Sequence, residues 1–194
     1  MTATLLDREV SYRELIDAGA LQLYPERDLR RWFGGGSRRT VGDLLAVPTH
    51  PSRVVWAVMR ERVLPAHVLY QIAVDYAGQF VDHARRRGVY LDFRTVRGLV
   101  AMQDWLDDRI SLGARLIAAE AAGQARTDVA DLGEPPASAA ADIVCAAMLD
   151  NAEAAFRETF YLYLDGHGDA AGLRWVVARA RARLGAVACD RTAR

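Results

Sequence analysis

Apolar residues recur at helical spacing along most of this chain, and the densest run lies between Ser52 and Gly88. Val54, Val55, Val58 and Met59 make one apolar face, with Trp56 toward its side and Arg60-Glu61-Arg62 at its end. Val68, Leu69, Ile72, Tyr76 and Phe80 make the next face, and His83 extends it. Pro65 disfavours the helical conformation at Leu64. The pattern therefore predicts two consecutive helices joined at Leu64-Pro65. The second runs from Ala66 to about Arg87, roughly 30 Å at 1.5 Å per residue. Three arginines near its end suit the negative pole of the helix dipole, and Gly88 stops it.

The flanking sequence reads as shorter helices with clear punctuation. Residues 1–10 read as a flexible lead-in. Ser11 and Glu14 form a capping box for a short helix ended by Gly19. Pro25 opens another, and Gly34-Gly35-Gly36 ends it as a linker. Thr40 caps a short helix before the Pro48–Pro51 turn, and Ser52 caps the first helix of the central pair. Tyr90 to Phe93 is the one strand-like candidate. Thr95 starts a helix with Val96, Leu99, Val100, Met102 and Leu106 inside, and Ser111 caps its continuation to Arg126. Residues 127–137, with Gly133 and Pro135-Pro136, read as a mobile loop. A long helix from Ser138 reaches about Asp165, Gly166-His167-Gly168 stops it, and a last helix starts at Asp169. The tail after Cys189 frays. The expected fold is all-α: a single-domain multi-helix bundle organised on the central hairpin. Residues 1–39 form the short helices and linker, and 40–189 the core.

Composition narrows the function classes. Charged residues are 26% of the chain and the formal charge is zero, so no global field favours nucleic acid or an anionic membrane. All 25 basic residues are arginine, which a codon bias matching the alanine excess would produce. The alternative is selection for bidentate cations at an interface. Arg174, Arg179, Arg181 and Arg183 spread around the last helix, so a nucleic-acid stripe is not expected there. No uninterrupted run approaches the roughly 20 apolar residues of a membrane span. Cys145 and Cys189 lie outside any CxxC or Cys/His cluster. No secretory signal pattern opens the chain, and a cytoplasmic location with reduced thiols is expected.

Catalytic patterns are sparse. His50, His67, His83 and His167 fall in no HExxH, HxxxH or ExxH spacing, so no metal or other cofactor is expected. The triple glycine lacks a preceding strand and a following GK[ST], so it is not read as a phosphate cradle. Asp82 and His83 are adjacent and diverge by about 100° on a helix. Asp75 is the most informative polar residue, because it sits near the core face beside Tyr76. A carboxylate there needs an ion pair or hydrogen bond, for example from Arg60 or another arginine. It could instead anchor a recognition cleft.

The segment WAVMRERVLPAHVLYQIAVDYA resembles a helical, immunity-5-like family of bacterial immunity proteins. That family carries the pattern W-x-x-x-R-E-x-x-L-P-x-x-x-L-x-x-x-A-x-D-x-A. Trp56, Arg60, Glu61, Leu64, Pro65, Leu69, Ala73, Asp75 and Ala77 match it. The segment AMQDWLDDRISLGARLIAAEAAGQA is similar to the same family's downstream helices, and the likeness spans roughly residues 40–125. The resemblance implies a non-enzymatic domain that binds and neutralises a toxin by occluding its active site. Immunity proteins against nucleases are often acidic, and this chain is neutral. Recognition is expected near the central helix pair and the 126–137 loop. The alternative is a small-molecule-binding or catalytic helical domain, such as a biosynthetic accessory protein. Trp56, Arg60, Tyr70, Asp75, Tyr76 and His83 are the candidate binding or pocket residues.

Overall fold

The computed structural model describes residues 3–22, 24–167 and 170–187. Among these it contains ten α-helices and one two-stranded sheet. The elements are β1 (Glu9–Ser11), α1 (Tyr12–Asp17), α2 (Glu26–Trp32), β2 (Arg38–Thr40), α3 (Val41–Leu44), α4 (Pro51–Val58), α5 (Ala66–Arg86), α6 (Phe93–Leu106), α7 (Leu112–Asp131), α8 (Pro135–Ala147), α9 (Ala152–His167) and α10 (Ala170–Ala186). The fold is predominantly all-α. Its backbone divides into two compact units, residues 1–68 with 173–194, and residues 69–172.

The first unit joins the chain's two ends. β1 pairs antiparallel with β2, Val10 opposite Arg39, and Val10 is fully buried. Leu15, Leu29, Trp32, Val41 and Leu44 are buried in this unit. Its C-terminal part is held by Leu5 N–H donating to Val187 O at 3.0 Å. Arg181 Nη1 donates to Gly42 O at 3.4 Å. The capping box forms as expected: Glu14 N–H donates to Ser11 Oγ at 3.1 Å, and Ser11 N–H to Glu14 Oε2 at 2.7 Å.

The second unit is one continuous segment. Helices α6, α7 and α8 pack pairwise, and α9 packs on α8. Gly98 permits the close approach: a Cβ there would lie 3.0 Å from both Ala122 Cβ and Met148 Sδ. Ser111 caps α7 by accepting from Ala114 N–H, as its sequence position predicts. Phe156 and Phe160 stack at 5.5 Å between ring centroids, and Tyr76 packs against them and Tyr163.

Several boundaries differ from the sequence reading. The lead-in holds a 3₁₀ turn at Leu5–Asp7 and strand β1, and the stretch after the glycines becomes β2. The two strands satisfy each other's backbone groups, which neither three-residue segment could do alone. Tyr90–Phe93, the expected strand, is a connection into α6. Its cap is Asp92, whose carboxylate accepts from Arg94 N–H, and Thr95 is buried one turn inside. His50 takes the cap position expected of Ser52, because Pro51 fits the first helical position. The 127–137 loop shrinks to residues 132–134: α7 continues to Asp131 and Pro135 starts α8. Residues expected as one helix from Ser138 to Asp165 divide into α8 and α9 around 148–151. The helix start at Asp169, Gly168 of the expected stop, and Cys189 with the following tail lie outside the described residues.

Candidate functional site

The six residues singled out from the sequence fall into separate local settings. In the first unit, Arg60 is buried and its guanidinium lies 3.2 Å from the centroid of the Trp56 ring. Tyr24 meets the same ring edge-on at 6.3 Å. A cation on an aromatic face replaces part of the hydration that burial removes. Trp56 Nε1 is buried without a hydrogen-bond acceptor among the described residues.

In the second unit, Tyr70, Asp75, Tyr76 and His83 all lie on α5. Tyr76 is fully buried among aromatic rings. Burial pushes its hydroxyl well above its ordinary value, and the charge of Asp75 adds to the effect. Asp75 and His83 are half-buried, so Asp75 sits at the margin of the core. Tyr70 leaves this group: its hydroxyl donates to Leu149 O at 3.1 Å and Asp150 O at 2.5 Å.

Tyr70 leads to a site that the sequence reading missed. Its ring meets Trp105 edge-on at 5.4 Å, and the Arg115 guanidinium lies 4.8 Å from the Trp105 centroid. Arg115 is 2% exposed. Its Nη1 donates to Met148 O at 3.0 Å, and its Nη2 pairs with the Asp150 carboxylate. The Asp150 side chain is 81% exposed, so one arginine links the interior to the α8–α9 turn. The available signal was spacing. Arg115 shares the buried side of α7 with Ala122, Ala125 and Val129, an i, i+7, i+10, i+14 series.

A cleft of about 380 Å³ lies between α7, α8 and α9. Arg126, Asp142, Cys145, Ala146, Leu149, Glu158 and Leu162 line it. The Arg126–Asp142 ion pair spans 2.7 Å, and Glu158 pairs with Arg157 at 3.1 Å. Burial pushes the Cys145 thiol up; nearby Arg126 lowers it and Asp142 raises it. The thiol therefore stays protonated near neutral pH and acts as a soft apolar wall. Among the described residues, no group of three or more His, Cys, Asp or Glu could hold a metal ion. None of their helices is long and apolar enough to cross a membrane.

The third feature is a surface. Of ten large apolar residues exposed among the described ones, seven lie between Tyr90 and Leu132. On α6, Phe93 and Val100 face outward, seven residues apart, while Thr95, Gly98 and Met102 are buried. On α7, Leu112, Leu116 and Ile117 are exposed, and Ile117 lies opposite the buried Arg115, Ala122 and Val129. Both helices also bury a side against α8, which leaves these exposed residues on the outward sides of the hairpin. Compared with family models, curated proteins and solved structures, the chain matches none.

Proposed function

We propose that this chain is a non-enzymatic protein-binding domain that recognises its partner through the outward side of the α6–α7 hairpin. One observation carries the reading: Phe93, Val100, Leu112, Leu116 and Ile117 are solvent-exposed on two adjacent packed helices. A grouping of large exposed apolar side chains on one helix pair is uncommon on a protein that works alone, and burial against a partner removes it from water. The specific form is a bacterial immunity protein that binds a toxin and covers its active site. The Trp56–Ala77 pattern supports that form through its family resemblance. Arg181, part of the basic last helix, is engaged by Gly42 O, which weakens a nucleic-acid reading.

Coexpression with a toxic effector encoded beside the gene tests the proposal. The wild-type chain is expected to restore growth and form a stable complex, and Ile117→Glu to abolish both. Lack of any complex and of any rescue by the wild-type chain would sink it.

A second reading has its own observation, the cleft at Cys145. Its volume suits a small ligand, and its apolar walls carry both signs of charge at the rim. A metabolite that binds there would raise the melting temperature and slow Cys145 alkylation. A library that changes neither counts against this reading.

A further inference from the structure

The α6–α7 surface carries charge as well as apolar area, and the charges select its occupant. Most charged groups of the hairpin already have partners within the chain. Arg94 bonds Asp92 and Asp128, each at 2.7 Å; Arg109 pairs with Asp104 and Asp107; Arg126 pairs with Asp142. Arg97 on α6 and Glu120 on α7 are exposed, and neither side chain forms an ion pair among the described residues. Asp108 and Asp131 are also unpaired but lie at the hairpin's two ends.

The positions of Arg97 and Glu120 follow from helical spacing and register. Arg97 lies between Phe93 and Val100, at i+4 and i−3, and so shares their side of α6. Glu120 lies four residues after Leu116 and three after Ile117, and shares theirs on α7. The helices run antiparallel, with Arg94 at the level of Asp128, Gly98 at that of Ala122, and Met102 at that of Arg115. Arg97 is therefore level with residue 123, and Glu120 lies about one helical turn nearer the α6–α7 connection. Exposed apolar side chains flank them along the hairpin: Phe93 toward one end, Leu116 toward the other.

One unpaired positive group on α6 and one unpaired negative group on α7, about a helical turn apart along the hairpin and each beside exposed apolar residues, let the hairpin complement a second copy of itself. In a two-fold interface, a contact from residue i to residue j is repeated from j to i. Resting on the reading of this hairpin as a protein-binding face, we infer that its occupant is a second copy of this chain. The two copies dock about a two-fold axis, and Arg97 of each pairs with Glu120 of the other. Burial of the apolar residues drives the association, and the paired charges set its register. A foreign partner on the same face competes with the second copy.

Sedimentation of the full chain over a concentration series tests the inference. The wild type is expected to move from monomer to dimer. Ile117→Glu is expected to remain monomeric with an unchanged helical circular-dichroism spectrum. Arg97→Glu and Glu120→Arg each create two like-charge contacts and are expected to raise the dimer Kd about tenfold or more, whereas the double reversal brings it back toward wild type. A wild type that stays monomeric throughout overturns the inference, as does a double reversal no tighter than the single changes. If the wild type is monomeric yet binds a toxin through Ile117, the second copy is wrong and the protein-binding reading stands. If the dimer forms with charge rescue but no toxin binds, the inference stands and the immunity form falls.

Discussion

Arg115 shows how one side chain can hold a turn in place. Its guanidinium binds Met148 O, the Asp150 carboxylate and the face of Trp105. Arg115→Ala leaves a buried carbonyl without its donor and a void beside Met102. The expected loss is about 3 kcal/mol in chemical denaturation, because cavity and unsatisfied-acceptor costs combine. Asp150→Asn keeps an acceptor on an exposed group, so about 1 kcal/mol or less is expected. Equal losses from the two changes would contradict this assignment. Asp92 gives the acid response. Hydrogen bonds from Arg94 hold its carboxyl below the ordinary 3.8, and partial burial opposes them. A depressed carboxylate contributes stability that is present above the unfolded value and lost as pH falls through the folded one. The melting-temperature gap between wild type and Asp92→Asn is therefore expected to be present at neutral pH and to close in acid below the ordinary carboxylate range. A gap that persists in acid would assign Asp92 a role other than its charge.

The three-helix contact of α6, α7 and α8 depends on the missing side chain of Gly98. Alanine has the higher helix propensity, worth about 1 kcal/mol over glycine in a helix interior. Here its Cβ meets Ala122 Cβ and Met148 Sδ at 3.0 Å, and Val144 Cγ1 at 3.5 Å. The methionine can turn away, but Ala122 Cβ is fixed to its backbone, so the helices must separate. Gly98→Ala is expected to cost roughly 1–3 kcal/mol net in denaturant unfolding, as overpacked cores do. A stabilised Gly98→Ala protein would show that the helices yield freely. Gly123 has nothing within 4 Å of a built Cβ, so Gly123→Ala is the control and is expected to stabilise.

The two units differ in how they are strung along the chain. Residues 69–172 are continuous, whereas the other unit needs both ends. Leu5 bonds Val187, Arg181 bonds Gly42, and a Cβ on Gly185 would lie 3.3 Å from Leu6 Cδ1. A fragment of residues 66–172 is expected to keep a helical spectrum and a cooperative melt. A fragment of residues 1–68 is expected to melt broadly, because it lacks the helix that its own elements bind. Cooperative melting of the 1–68 fragment by calorimetry would contradict the role given to the C-terminal helix.

Local chemistry was legible wherever the deciding atoms are neighbours in sequence. The capping residues Ser11, Thr40 and Ser111, the turn at Pro65, the long α5 and the predominantly helical class all follow from propensity, caps and apolar period. The strands β1 and β2 were hidden because they lie 26 residues apart and exist only through each other. The division around Met148–Asn151 was hidden because carbonyls there are held by Tyr70 and Arg115 from distant helices. Likewise, Asp75 drew attention as a carboxylate beside an apolar face, while the deeply buried charged groups among the described residues are Arg60 and Arg115. Helical period states which residues share a side of a helix. Only tertiary packing decides which side is covered, and thus that the α7 side with Arg115 is closed and the side with Ile117 is open.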